Sequence, residues 1–146
     1  MRARFFVALV LNAAVAAAMI VVGVEYMAAS EMMPHHLQVL GTPFSSLPPN
    51  CQLLLLTLMK GTGLAGVVAG VSLAVLLAVP FRRREPWSRY ALLLAGGVAL
   101  VPMLVGAIRL RIQTGASIPW WPHVALLAAL GVAFWLSRGS ARADGK

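Results

Sequence analysis

Acidic residues are scarce in this chain. Among 146 residues there are four: Glu25, Glu31, Glu85 and Asp144. So small a set builds no acidic surface and leaves few carboxylates for general acid–base work. Cysteine occurs once, at Cys51, which excludes an intramolecular disulfide. Charged residues of both signs make up 11% of the chain, about half the share of a soluble domain. No polar stretch is long enough to form a separate soluble domain.

Apolar sequence is what the chain has instead, at 60% of its residues. Four apolar runs stand out, at 5–24, 61–81, 90–108 and 120–136. Each is near the ~20 residues a helix needs to cross a hydrocarbon core of ~30 Å. The last is the shortest. The runs do not alternate apolar with polar residues, which argues against a spanning β-barrel. The expected fold class is therefore all-α: an integral membrane four-helix bundle, both termini cytoplasmic, with a long outer loop between helices 1 and 2. The expected helices cover about 4–26, 47–80, 87–109 and 119–137 of a single transmembrane domain. Residues 27–46 form an outer lid loop, and 138–146 a flexible cytoplasmic tail.

The net charge of +8 does not imply nucleic acid. The basic residues lie at the ends of apolar runs, where they set orientation and meet anionic headgroups. With the N-terminus inside, the cytoplasmic side receives nine of them: Arg2, Arg4, Arg82, Arg83, Arg84, Arg89, Arg138, Arg142 and Lys146. The outer side receives Lys60, Arg109 and Arg111. This asymmetry predicts a multi-pass protein of the plasma membrane with both ends inside. Met1-Arg-Ala-Arg before an Ala-rich run also resembles a signal peptide. However, its apolar region is longer than the usual 7–15 residues, so an uncleaved first helix is expected.

Most of the reactive residue types fall between positions 25 and 60. Glu25, Glu31, His35, His36, Cys51, Lys60 and four of the seven methionines lie there. The second long helix, with Pro48 tolerated in its first turn, would run 33 residues from Leu47 to Val79, or about 50 Å. That exceeds a bilayer core. Its first three turns, Cys51 to Met59, are too apolar to stand in water. The loop is therefore expected to fold over them, packing through Met27, Met32, Met33, Leu37, Val39, Leu40 and Phe44. Beneath that lid, Glu25, Lys60 and Arg109 share one depth near the outer boundary. They are expected either to pair as ions or to floor a ligand site with Glu31, His35 and His36.

Other chemistry is weaker. His35, His36, Met32 and Met33 are ligand types that suit copper, yet their spacing matches no metal motif, and no metal or other cofactor is expected. The histidines lie in loops or at a boundary, which does not suit haem. Gly61-x-Gly63-x-x-Gly66 has the spacing of a dinucleotide fingerprint but lacks the strand before it. Gly63, Gly66 and Gly70 instead form a small-residue face for close helix packing. Asn12, in mid-helix, is expected to bond another helix.

As topology alone, the chain broadly resembles several groups of small bacterial membrane proteins. No motif carries any family's residues onto it. The leading expectation is a non-catalytic accessory or assembly protein. Its partners are the lipid bilayer and either a second copy, through the glycine face, or a larger membrane complex. The alternatives are a small-molecule or lipid-handling protein with a site under the outer loop, and copper handling by the Met/His loop.

Overall fold

The computed structural model describes residues 2–138, so of the expected tail at 138–146 all but Arg138 lies outside the described residues. Five α-helices account for most of the described chain: α1 Arg2–Ala28, α2 Pro34–Leu40, α3 Pro49–Leu76, α4 Ser88–Thr114 and α5 Trp121–Ser137. A π-turn at Leu77–Phe81 continues α3, and a short 3-10 turn at Phe44–Ser46 precedes it. Three elements are long and apolar enough to cross a membrane: α1, α3 with its π-turn, and α4. Helix α5, at 17 residues, rises about 26 Å.

Helix boundaries follow local chemistry. Pro34 and Pro49 occupy first-turn positions, where a missing N–H costs nothing. Helix α4 runs through Pro102 and past the expected end near Arg109. It stops at Gly115, whose φ of 70° lets its N–H reach back to the Arg111 carbonyl. The end of α3 is unusual. Glu85 N–H donates to the Pro80 carbonyl and Arg84 N–H to the Phe81 carbonyl, the Schellman pattern of helix termination. The left-handed position in that pattern usually holds glycine. Here it holds Arg84 at φ 60°, a strain of about 1–2 kcal/mol.

Helix α1 packs most extensively on α3 and also contacts α5. Helix α4 contacts α5 and, to a lesser extent, α3. Each contact is a seam of buried residues at helical spacing. On α1 the seam is Ala8, Asn12, Val15, Ala16, Met19 and Gly23; on α3 it is Met59, Gly63, Gly70 and Leu73. Where α1 meets α3 the backbones nearly touch. A Cβ added to Gly23 would lie 2.6 Å from the Gly63 carbonyl oxygen, and one on Gly63 would lie 2.6 Å from that of Gly23. A Cβ on Gly70 would meet Ile20 and the Ala16 carbonyl below 3 Å. The glycine face expected to mediate self-association is thus occupied within the chain by α1. Gly66 also faces α1 but less tightly, since its Cβ would meet Gly23 Cα and the Met19 carbonyl oxygen at 3.5 Å, ordinary contact.

Two further expectations change. Asn12 is buried, but its Nδ2 donates to the Ala8 carbonyl of its own helix at 2.9 Å, so its amide N–H does not bond another helix. The early turns of α3 are not covered either: Leu53, Leu54 and Leu58 are 68, 59 and 59% exposed. With Leu64, Val68, Val71, Val75 and Val79 they form one exposed apolar stripe. From 53 to 79 that stripe rises about 39 Å, so an α3 immersed along its whole length would have to tilt in a ~30 Å core. Its hydroxyls suit such a solvent. Thr57, Thr62 and Ser72 are exposed, yet each donates to the carbonyl four residues back, at 2.8–3.0 Å. In hydrocarbon these groups have no water to bond.

Candidate functional site

The segment joining α1 to α3 does fold over, but onto other elements than expected. Helix α2 ends at Gly41, whose φ of 65° returns its N–H to the Leu37 carbonyl. The helix is latched at both of its sides. On one side, Tyr26 near the end of α1 places its hydroxyl 3.2 Å from His35 Nε2 and receives the His36 ring edge-on, with centroids 5.8 Å apart. On the other, Gln38 Oε1 accepts the Ser117 N–H at 3.0 Å, and Val39 packs on the buried cluster of Ala107, Ala116 and Ile118. The lid therefore ties the end of α1 to the α4–α5 connection. Its seat is the end of α1, Ala107 of α4 and the α4–α5 connection, because that is where a polar partner and a small apolar cluster coincide.

The structure brings only part of the expected site together. The His35 and His36 rings lie with centroids 4.2 Å apart, tilted 59° to one another, and both are half-buried. Glu25, Glu31, Lys60 and Arg109 are exposed. Among the described residues no ion pair joins Glu25 to Lys60 or to Arg109, so the expected polar floor is not assembled. Met32 and Met33 are half-buried beside the lid. Among the described residues no three His, Cys, Asp or Glu side chains converge as a metal-binding group. Tyr26, which organises both histidines, was missed as a partner in the sequence because a tyrosine near the end of an apolar run reads as an interfacial anchor. Gln38 gave no signal at all, since its partner lies 79 residues away.

The latch has a pH sign. Burial pushes His35 and His36 below the usual imidazole range, and at His36 the neighbouring His35 adds to the effect. The ordinary value is about 6.5. Below it, an undocked lid takes up protons more readily than a docked one, so docking weakens as pH falls through about 6.5 toward the lowered values. Above about pH 7 the imidazoles are neutral in both states and docking does not vary. Hydrogen exchange of the α2 amides, corrected for intrinsic rate, is expected to accelerate between about pH 7.5 and about pH 5. Replacing both histidines by glutamine should flatten that response. Equal exchange at both pH values in the unaltered protein would exclude the histidines as a latch.

The other end of the molecule carries an arginine cluster that charge counting assigned to topology alone. Arg84 lies over the Phe5 ring at 5.2 Å, Arg89 over Tyr90 at 4.8 Å and Arg138 over Phe134 at 4.8 Å. Phe5 in turn stacks on Phe81 at 5.1 Å. Trp87 and Trp135 are exposed at this end, and Trp120 and Trp121 at the lid end. That arrangement is what an aromatic belt at two membrane interfaces would require.

No protein-family model matches this chain, and no curated protein or solved structure matches it significantly. The fold defines the class on its own. The described chain is all-α, and three helices long and apolar enough to cross a membrane suggest a membrane protein.

Proposed function

We propose that this chain is a small multi-pass protein of the plasma membrane, a four-helix bundle with α5 as its fourth span and both ends cytoplasmic. It works as a non-catalytic accessory or assembly protein, docking a membrane helix of a partner. The observation that carries the reading is a groove on the exposed side of α4. It has a volume of about 690 Å³ and is lined by Tyr90, Leu94, Gly97, Val98, Val101 and Pro102, among others. Leu94 and Val98 are 69 and 67% exposed. A Cβ on Gly97 would meet nothing within 4 Å, in contrast to Gly63 and Gly70, whose space α1 fills. A small residue beside a shallow apolar groove is the form of a helix-docking surface in lipid. The lysine and arginine asymmetry supports the orientation.

Gly97→Leu tests this without disturbing the fold, because the space it enters is empty. In gentle detergent extracts of native membranes, the chain is expected to migrate in an assembly larger than one copy. Gly97→Leu should lose that assembly while its thermal unfolding stays unchanged. Identical migration of the two proteins would remove α4 as the docking face. A second reading, small-molecule or lipid handling beneath the lid, is favoured by His36 Nδ1, which is buried without a hydrogen-bond partner among the described residues and so can exchange one with a ligand.

A further inference from the structure

The arginine end carries a half-open cleft of about 20 Å³, the room of roughly one water molecule, so any anion it holds sits at its mouth, against the guanidiniums. The cleft lies between the start of α1, the π-turn after α3, the start of α4 and the end of α5. Its lining includes Phe5, Arg84, Glu85, Ser88, Arg89 and Ser137. Ser88 Oγ donates to the Glu85 carbonyl at 2.6 Å and Ser137 Oγ to the Phe134 carbonyl at 2.8 Å. Both hydroxyl protons are thus committed, and the side-chain donors left in the cleft belong to the two guanidiniums.

Those guanidiniums are held in place rather than loose. Arg89 donates from Nη2 to the Tyr90 hydroxyl at 3.0 Å and lies between the Tyr90 and Phe134 rings, 4.8 and 5.9 Å from their centroids. Its Nε is buried and has no hydrogen-bond partner among the described residues. Such a donor is costly to leave unsatisfied. Arg84 is fixed differently, by a left-handed backbone at φ 60° and the Phe5 ring beneath it. A guanidinium on an aromatic face keeps its N–H edge available. Two such edges match a tetrahedral anion that accepts several hydrogen bonds at once. Glu85 also lines the cleft, but among the described residues it forms no ion pair with Arg84 or Arg89. Arg138 adds a third positive charge over Phe134.

We propose that the mouth of this cleft, at Arg84 and Arg89, binds a phosphate group, carried by an anionic lipid headgroup or as a free ion. The site lies outside the lid and the α4 groove, and it rests on the membrane reading because the cleft then stands at headgroup depth. Its apolar wall of Phe5 and Phe81 and the neighbouring Trp87 and Trp135 are suited to a headgroup with acyl chains beside it.

The test uses the full chain in nanodiscs of phosphatidylcholine, with and without phosphatidylglycerol. Native mass spectrometry reads the phospholipids retained. The chain is expected to retain phosphatidylglycerol in preference to phosphatidylcholine. Arg84→Gln and Arg89→Gln should each lower that retention about tenfold or more, the loss of a charge-assisted hydrogen bond to the phosphate. Arg82→Gln and Arg83→Gln remove the same charge from exposed side chains outside the cleft, and should lower it no more than about fivefold, the diffuse effect of one basic residue near a headgroup. Equal losses in all four variants would mean a diffuse field and overturn the site, as would no preference for phosphatidylglycerol. Inorganic phosphate added to phosphatidylcholine discs separates the sources: binding that Arg84→Gln abolishes assigns the free ion, and adducts formed only with phosphatidylglycerol assign the lipid. If Arg89→Gln lowers thermal stability, Arg84→Gln decides, since its guanidinium packs on one ring at the surface. Flotation with phosphatidylcholine vesicles reports the membrane reading separately. A chain that fails to float fails there, and one that floats without headgroup preference fails here.

Discussion

Gly63→Val is expected to push α1 away from α3 and destabilise the fold by about 1–3 kcal/mol or more, the usual range for forcing atoms into a closed contact. The new Cβ would lie 2.6 Å from the Gly23 carbonyl oxygen and 2.8 Å from Tyr26 Cβ. The first is backbone and the second is next to it, so neither can swing aside as a side-chain tip would. Gly70→Val should act similarly against Ile20 and the Ala16 carbonyl. Gly66→Ala is the control. Its Cβ would enter ordinary contact at 3.5 Å, and the expected change is within about 0.5 kcal/mol. Thermal unfolding in one detergent reads all three. A Gly63→Val protein as stable as the Gly66→Ala protein would mean that α1 and α3 do not meet as described.

Val68→Arg should be the most damaging surface substitution on α3. Val68 is 56% exposed, and in water an arginine there would change stability by no more than about 0.5 kcal/mol. At mid-membrane the same side chain costs about 2.5–3.5 kcal/mol in insertion. Leu53→Arg, at a position 68% exposed near the lid end of the helix, should cost far less because a long cation there can reach the interface. The two substitutions are alike in exposure and chemistry and differ in depth alone. An insertion assay in which both are equally mild would argue that α3 does not cross a bilayer.

The lid shows where sequence reasoning stops. That residues 27–46 fold back was legible, because Pro34, Gly41 and the proline pair at 48–49 break regular structure and the segment is rich in apolar side chains. What it folds onto was not. The uncovered turns of α3 looked like a liability only when judged against water. In a membrane solvent Leu53, Leu54 and Leu58 need no cover, and the lid goes to Tyr26 and Ser117 instead. The expected site failed for a related reason. Glu25, Lys60 and Arg109 share a depth along the chain, but depth does not fix the direction around a helix, and all three side chains end exposed. The arginines were legible as charge and not as a cleft. Arg84 gains its place from a helix terminus that would ordinarily use glycine.

By itself, the sequence determined that the chain is helical and roughly where its four long helices lie; it did not foresee α2, which falls in the expected loop, or the last turn of α4 beyond Arg109. Apolar run length, proline, glycine and the placement of charge are local signals, and local backbone bonding obeys them. Tertiary structure alone decided which face of each helix turns inward. In a soluble protein that choice is written as an apolar stripe against a polar one. Here the faces of Ala8, Val15 and Met19 and of Val7, Val21 and Val24 are equally apolar, yet the first is buried and the second exposed. Lipid accepts what the core accepts, so polarity does not distinguish them. Size does: backbones can approach only where Gly23, Gly63 and Gly70 leave room. The glycine face of α3 was legible in the sequence, but that α1, through Gly23, fills it becomes visible only once the two helices lie together.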